Sequence, residues 1–166
     1  MSSSSPRLSH VDGRGRARMV DVGEKALTAR VARARGRVFM SSTALAQITR
    51  GTAAKGDVLG VARLAGIQAA KHTAMLVPLC HLVPLDHVAL EVEAKPAEGC
   101  VEITTRVACR GATGVEMEAI VAVCIAAATV YDMCKAADRR MRIGDIELVE
   151  KRGGRSGTYR APRRRA

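Results

Sequence analysis

Ala119-Ile120-Val121-Ala122-Val123-Cys124-Ile125-Ala126-Ala127-Ala128-Thr129-Val130 is a run of twelve residues without a charge. It predicts the middle of one helix, from Val115 to Arg139. A helix that is apolar all round must be buried all round. The run falls short of the about 20 apolar residues that a bilayer span needs, so it reads as core and no membrane partner is expected. Working outward, both ends of this rod are dense with polar chemistry. The entry is Thr113-Gly114-Val115-Glu116-Met117-Glu118 and the exit is Tyr131-Asp132-Met133-Cys134-Lys135.

The flanking segments supply a sheet. Thr28 to Met40 alternates small apolar residues with arginine and reads as a strand, with Arg33, Arg35 and Arg37 on one face. Val88, Leu90, Val92 and Ala94 alternate with Glu91 and Glu93. After Pro96–Gly99 the pattern resumes at Val101, Ile103, Val107 and Cys109, which predicts a β-hairpin. Ile143 to Val149 makes a last strand. Between the first strand and the hairpin, Ser41 or Ser42 can cap a short helix ending at Gly51. Asp57 can cap a second helix running to about Met75, rich in small residues. Met19–Val22 reads as a short extended piece. The order strand, helices, strand, strand, helix, strand predicts an α+β fold, a ferredoxin-like antiparallel sheet packed with helices.

The chain has 166 residues, one Phe, two Tyr and no Trp. A core of small aliphatics, with a helix buried on every side, predicts a homo-oligomer. The net charge of +11 is uneven: residues 160–166 supply +4 and residues 1–18 supply +3. These read as a disordered Arg-rich tail (160–166) and a flexible basic arm (1–18) around a single domain at 19–159. The five cysteines form no CxxC. No secretory signal is visible, so reduced thiols and a cytoplasmic location are expected. No zinc or other metal site is expected, because Cys80-His81 are adjacent and no other His stands at ligand spacing. Neither a P-loop nor a GxGxxG pattern is present.

Four clusters could carry chemistry. Asp132 and Lys135 share a helix face at i, i+3; they read as a surface ion pair or as an acid–base pair. Glu116 and Glu118 lie in the first helical turn, where they complement the dipole or accept hydrogen bonds from a guanine-like ring. His81 in Pro78-Leu79-Cys80-His81 is a structural residue, a general acid/base or a ligand donor. Lys55 precedes a helix N-terminus, a natural phosphate position, and Lys71, Lys151 and Arg155 add scattered cations. Glu116 and Asp132 are sixteen residues apart, roughly 24 Å along one helix. If both ends serve one site, that site joins two subunits.

Taken together, Met19-Val20-Asp21-Val22, Lys55-Gly56-Asp57, Ala65-Gly66-Ile67-Gln68-Ala69-Ala70-Lys71, Pro78-Leu79-Cys80-His81, Thr113-Gly114-Val115-Glu116-Met117-Glu118-Ala119 and Tyr131-Asp132-Met133-Cys134-Lys135 resemble the cyclic pyranopterin monophosphate synthases of molybdenum cofactor biosynthesis. The resemblance covers about residues 8–160. It implies a ferredoxin-like fold and a hexamer, a trimer of dimers with interfacial active sites. It implies a lyase that converts 3′,8-cyclo-7,8-dihydro-GTP to cyclic pyranopterin monophosphate and releases diphosphate. By motif it makes Asp132 the acid/base, paired with Lys135, and gives Lys55 a part in proton transfer. Leu79, Cys80, His81, Met117 and Glu118 would line the substrate site with Glu116, and Lys71 and Lys151 would favour its phosphates. It requires no cofactor, with Mg²⁺ possible on the triphosphate. Two positions depart from the family pattern: Leu82-Val83-Pro84 follows His81 where Pro is expected, and Arg155 stands where Lys is usual. The competing reading is a basic nucleic-acid-binding module. It rests on the charge and the arginine row, but the chain lacks the aromatics on which such modules stack bases, so a nucleic-acid partner is not expected.

Overall fold

The computed structural model describes residues 11–162. Residues 1–10 of the expected arm and 163–166 of the expected tail lie outside them.

The first strand, β1 (Thr28–Phe39), organises the sheet. It pairs antiparallel with β3 (Cys100–Gly111) on one side and with β4 (Arg142–Arg152) on the other. The hairpin strand β2 (His87–Lys95) flanks β3, and a two-residue β5 (Tyr159–Arg160) flanks β4, giving the order β2-β3-β1-β4-β5. Alternation does the sorting: Ala32, Ala34 and Val38 are buried, while Arg33, Arg35 and Arg37 point the other way. The turn of the β2–β3 hairpin is a 3₁₀ segment, Pro96–Glu98, closed by Gly99 at φ 64.

The helices cover one face. α1 (Ser42–Thr49) is capped by Ser41, whose hydroxyl accepts from Ala44 N, and α2 (Val58–Lys71) by Asp57, whose carboxylate accepts from Gly60 N. α2 ends at Lys71, with His72 as its C-cap, short of the expected Met75. There Thr73 Oγ1 turns back to donate to the carbonyls of Ala69 and Ala70, and a single turn, α3 (Thr73–Leu76), follows. α4 (Glu116–Cys134) packs on β1, β3, β4 and α2. By length and composition α4 could cross a membrane, but these contacts make it the core helix.

The small residues are where elements meet most closely. A Cβ on Gly66 of α2 would lie 2.9 Å from the Ala122 carbonyl oxygen of α4. A Cβ on Gly36 of β1 would lie 2.6 Å from Val123. Opposite Gly36 the β1–β4 register slips, and Asp145 takes φ 53 in the resulting irregularity.

Several expectations need correction. α4 is not buried on every side within one chain: Met117 (37% exposed), Ile125 (38%) and Ala128 form a solvent-facing stripe, because the sheet and α2 leave one flank of the helix uncovered. α4 stops at Cys134 rather than Arg139. There Ala137 N and Asp138 N both donate to the Cys134 carbonyl, and the Asp138 side chain is captured by Ser41 N. Met19–Val22 joins no strand; Asp21 instead accepts from Gly23 N in a turn. Within the expected flexible arm, residues 11–17 form a turn around Asp12, which accepts from Arg14 N and Arg16 N under a Val11–Ala17 bridge. Arg160, read as the start of a disordered tail, lies in β5 and donates to Glu150.

Candidate active site

The exit of α4 is a three-residue charge cluster. Asp132 Oδ2 is 2.6 Å from Lys55 Nζ, and Asp132 Oδ1 is 2.7 Å from Lys135 Nζ. Lys55 Nζ also donates to the Asp132 carbonyl at 3.1 Å. Lys135 comes with the helix itself, whereas Lys55 arrives from the loop between α1 and α2. That loop is turned by Gly56 at φ 85 and bonded back through Thr52 N to the Gln47 carbonyl. Hydrogen bonds from Lys135 and then Lys55 hold the Asp132 carboxyl down at about 2, and Asp132 in return raises Lys135. All three side chains are about half exposed, so a ligand can reach them.

The entry of α4 is built differently. Val77, Leu79, Cys80, His81, Thr113, Gly114, Glu116, Met117 and Glu118 enclose a cavity of about 530 Å³. Glu118 is 3% exposed, and its Oε2 has no hydrogen-bond partner among the described residues. Its Oε1 accepts from Cys80 Sγ at 3.8 Å. Burial raises the Glu118 carboxyl. Burial, reinforced by the Glu118 charge, pushes the Cys80 thiol up to about 11, so Cys80 is a thiol at neutral pH and not a nucleophile. An acid whose value rises on folding binds more protons folded than unfolded. Stability therefore falls as pH climbs from 4.5 through the raised value. We expect Glu118→Gln, which cannot ionise, to flatten that fall, as read by denaturant titrations between pH 5 and 8.

A second cleft adjoins Glu116. It is lined by Lys25, Arg30, Thr113, Lys151, Gly154, Arg155 and Ser156. Lys151 donates to Ser156 Oγ, and Arg30 donates to the carbonyls of Gly111 and Ala112 at 3.3 Å. Gly153 and Gly154 have φ 91 and 75. Side chains there would collide with the Ala29 carbonyl and the Arg30 guanidinium respectively. The loop thus needs glycine twice to lay its backbone over Arg30.

The structure therefore joins Lys55, Asp132 and Lys135 in one cluster. It joins Leu79, Cys80, His81, Glu116, Met117 and Glu118 in another, and sets Lys151 in the cleft that shares Glu116. Lys71 is exposed at the end of α2 and is not among the residues lining these cavities. Arg30 and Thr113 line the cleft and were not singled out as site residues from sequence. Arg30 had a signal: it shares parity with Ala32, Ala34 and Val38, so it is a charge on the core-facing side of a strand.

Two arginines of the row that favoured nucleic acid are closely paired in place. Arg35 meets Glu147 at 2.6 Å, Arg37 meets Glu102 at 2.7 Å and Glu98 at 3.0 Å, and Arg33 lies 3.8 Å from Glu150. Glu150 is shared with Arg152 and Arg160, so pairing lowers the positive charge of this face without cancelling it.

Fold and site define a class: an α+β protein with an antiparallel sheet, its core helix carrying a Lys–Asp–Lys cluster at one end and an acid-lined cavity at the other. The chain belongs to the MoaC family, which it matches over residues 19–154. A protein of Chloroflexus aurantiacus is 57% identical over 163 residues, 98% of this chain and 100% of its own length. One of Thermomicrobium roseum is 58% identical over 153 residues, 92% of each chain. One of Cereibacter sphaeroides is 56% identical over 154 residues, 93% of this chain and 97% of its own. All three are named cyclic pyranopterin monophosphate synthase.

Proposed function

We propose that this chain is a cytoplasmic lyase of molybdenum cofactor biosynthesis. It converts 3′,8-cyclo-7,8-dihydro-GTP to cyclic pyranopterin monophosphate and releases diphosphate. The observation that carries the reading is the Lys55–Asp132–Lys135 cluster, assembled from two distant segments in a chain whose relatives bear that enzyme's name.

Opening and reclosing the rings moves protons on and off nitrogen and oxygen. A carboxylate held at about 2 stays ionised at neutral pH and is a poor base. Lys55, which also reaches the Asp132 carbonyl, is the residue placed to give and retake a proton at Nζ, and Asp132 holds it and Lys135 on the reacting rings. In the phosphate step a sugar hydroxyl oxygen attacks the α-phosphorus. The new O–P bond forms as the bond to diphosphate breaks, and the hydroxyl proton passes to a lysine amine that has already given up its own. Lys151 and Arg30, with the Gly153–Gly154 loop, stabilise the charge that builds on the diphosphate, and Lys71 adds to the field. Leu79, Cys80, His81, Met117 and Glu118 hold the ring end, with Glu116 between ring and phosphates. Mg²⁺ belongs to this reading only as a companion of the triphosphate.

The strand order β2-β3-β1-β4 with its two helical crossovers supports the ferredoxin-like assignment. The α4 stripe, together with exposed Leu64, Met75 and Leu76 on the same helical layer, supports self-association, proposed here as a hexamer made of three dimers. The roughly 24 Å between Glu116 and Asp132 favours sites shared between subunits. Turnover of the cyclic dihydro-GTP by the purified chain tests the activity. Mixing tests the sharing: Asp132→Asn and Glu116→Ala chains, each inactive alone, are expected to regain activity when co-assembled. Sites contained in one subunit would give none.

A further inference from the structure

We infer that Asp138 is a positioning residue that keeps Lys55 docked on the exit of α4 while the lysine is uncharged. The inference rests on the proton-carrying role proposed for Lys55. Lys55 and Asp132 belong to separate segments, 41–57 and 132–140. Among the described residues two polar links join these segments. One is the Lys55–Asp132 ion pair. The other is the bond from Ser41 N to Asp138 Oδ2 at 2.8 Å, in a carboxylate whose Oδ1 also accepts from Arg140 N at 2.9 Å.

The two links differ in what proton transfer does to them. When Lys55 gives up its proton, the attraction to Asp132 falls from ion pair to neutral hydrogen bond, and the first link weakens at the moment of reaction. The Asp138 link has no such weakness, because its donors are backbone amides that do not titrate. Bonds from Ser41 N and Arg140 N hold the Asp138 carboxyl below its usual range, so it remains ionised.

The link also acts at the right place. Asp138 N bonds the Cys134 carbonyl, one residue before Lys135. Ser41 is the N-cap of α1: its hydroxyl accepts from Ala44 N and its carbonyl from Leu45 N. α1 is eight residues long and leads directly into the Lys55 loop. A clamp on its N-cap therefore limits how far that loop can move from Asp132.

The test uses the full chain, with Asp138→Ala (both acceptors lost) and Asp138→Asn (one acceptor kept). Turnover is expected to fall about tenfold in Asp138→Ala and less in Asp138→Asn, with KM within about twofold of wild type, as for a group that acts on the chemical step alone. Amide hydrogen exchange across residues 50–57 is expected to speed up in Asp138→Ala while that of β1 and α4 is unchanged. Wild-type exchange across 50–57 together with wild-type turnover overturns the inference. So does a uniform loss of protection across the whole fold in both variants, which marks a merely structural residue. The exchange experiment needs no substrate, so its result stands even where wild-type protein shows no turnover, an outcome that bears on the proposed activity alone.

Discussion

Asp132→Asn is expected to lower turnover by roughly 10²- to 10⁴-fold, the range that a positioned acid–base group such as Lys55 contributes and forfeits when it is no longer held, while melting temperature and oligomeric state stay near wild type. Asn keeps the shape and one acceptor oxygen but removes the charge that holds Lys55 at 2.6 Å and Lys135 at 2.7 Å. The cluster is half exposed, where ion pairs add little to folding. Its geometry serves the reaction far more than stability. The sign of the pH effect follows from the carboxyl being lowered from 3.8 to about 2. The contribution of the pair to folding is complete above pH 3.8 and is lost as pH falls toward 2. Wild-type activity should therefore show no limb near pH 4 arising from Asp132. The carboxyl carbon of Asp132, followed by NMR, should titrate well below the ordinary aspartate value of 3.8.

The largest effect on stability is expected at Gly66. Gly66→Val should destabilise the fold by about 2–3 kcal/mol, as overpacking in close-packed cores does, and lower the melting temperature by roughly 5–10 °C. The Cβ alone would sit 2.9 Å from both the Ala122 carbonyl oxygen and Leu90 Cδ1. Leu90 can rotate away, but the carbonyl belongs to the backbone of α4, so α2 itself must retreat. Helix propensity pulls the other way by up to about 1 kcal/mol, too little to offset the clash. Because α4 positions both clusters, activity should fall with stability. Differential scanning calorimetry alongside turnover separates this from the Asp132 result, where activity alone falls.

The parts of this molecule legible in its sequence are those fixed by local rules. Period-two alternation locates β1, β2 and β3 to within a few residues, the run Ile143–Val149 marks β4, and the cap candidates Ser41 or Ser42 and Asp57 mark where α1 and α2 begin. The motif set placed Lys55, Asp132 and Lys135 together, and the structure brings them within hydrogen-bonding distance. What escaped depends on partners far along the chain. α4 ends at Cys134 because Asp138 is drawn to Ser41, a contact between positions 97 apart. β5 exists because Glu150 and Lys151 pair with Arg160 and Tyr159. The exposed stripe through Met117, Ile125 and Ala128 was invisible because an apolar run is the same whether sheet, helix or another subunit covers it. The pairing within the arginine row escaped for a related reason: Arg35 and Arg37 read as free charge until Glu147 and Glu102 arrive from neighbouring strands.

The most direct test is an anaerobic assay of the purified chain with 3′,8-cyclo-7,8-dihydro-GTP, following diphosphate release and conversion of the product to a fluorescent oxidised pterin. The Lys–Asp–Lys account predicts diphosphate and pterin in equal amounts from wild type, with both lost in Asp132→Asn. A folded wild-type protein that releases no diphosphate, or an Asp132→Asn variant that turns over at the wild-type rate, would contradict it.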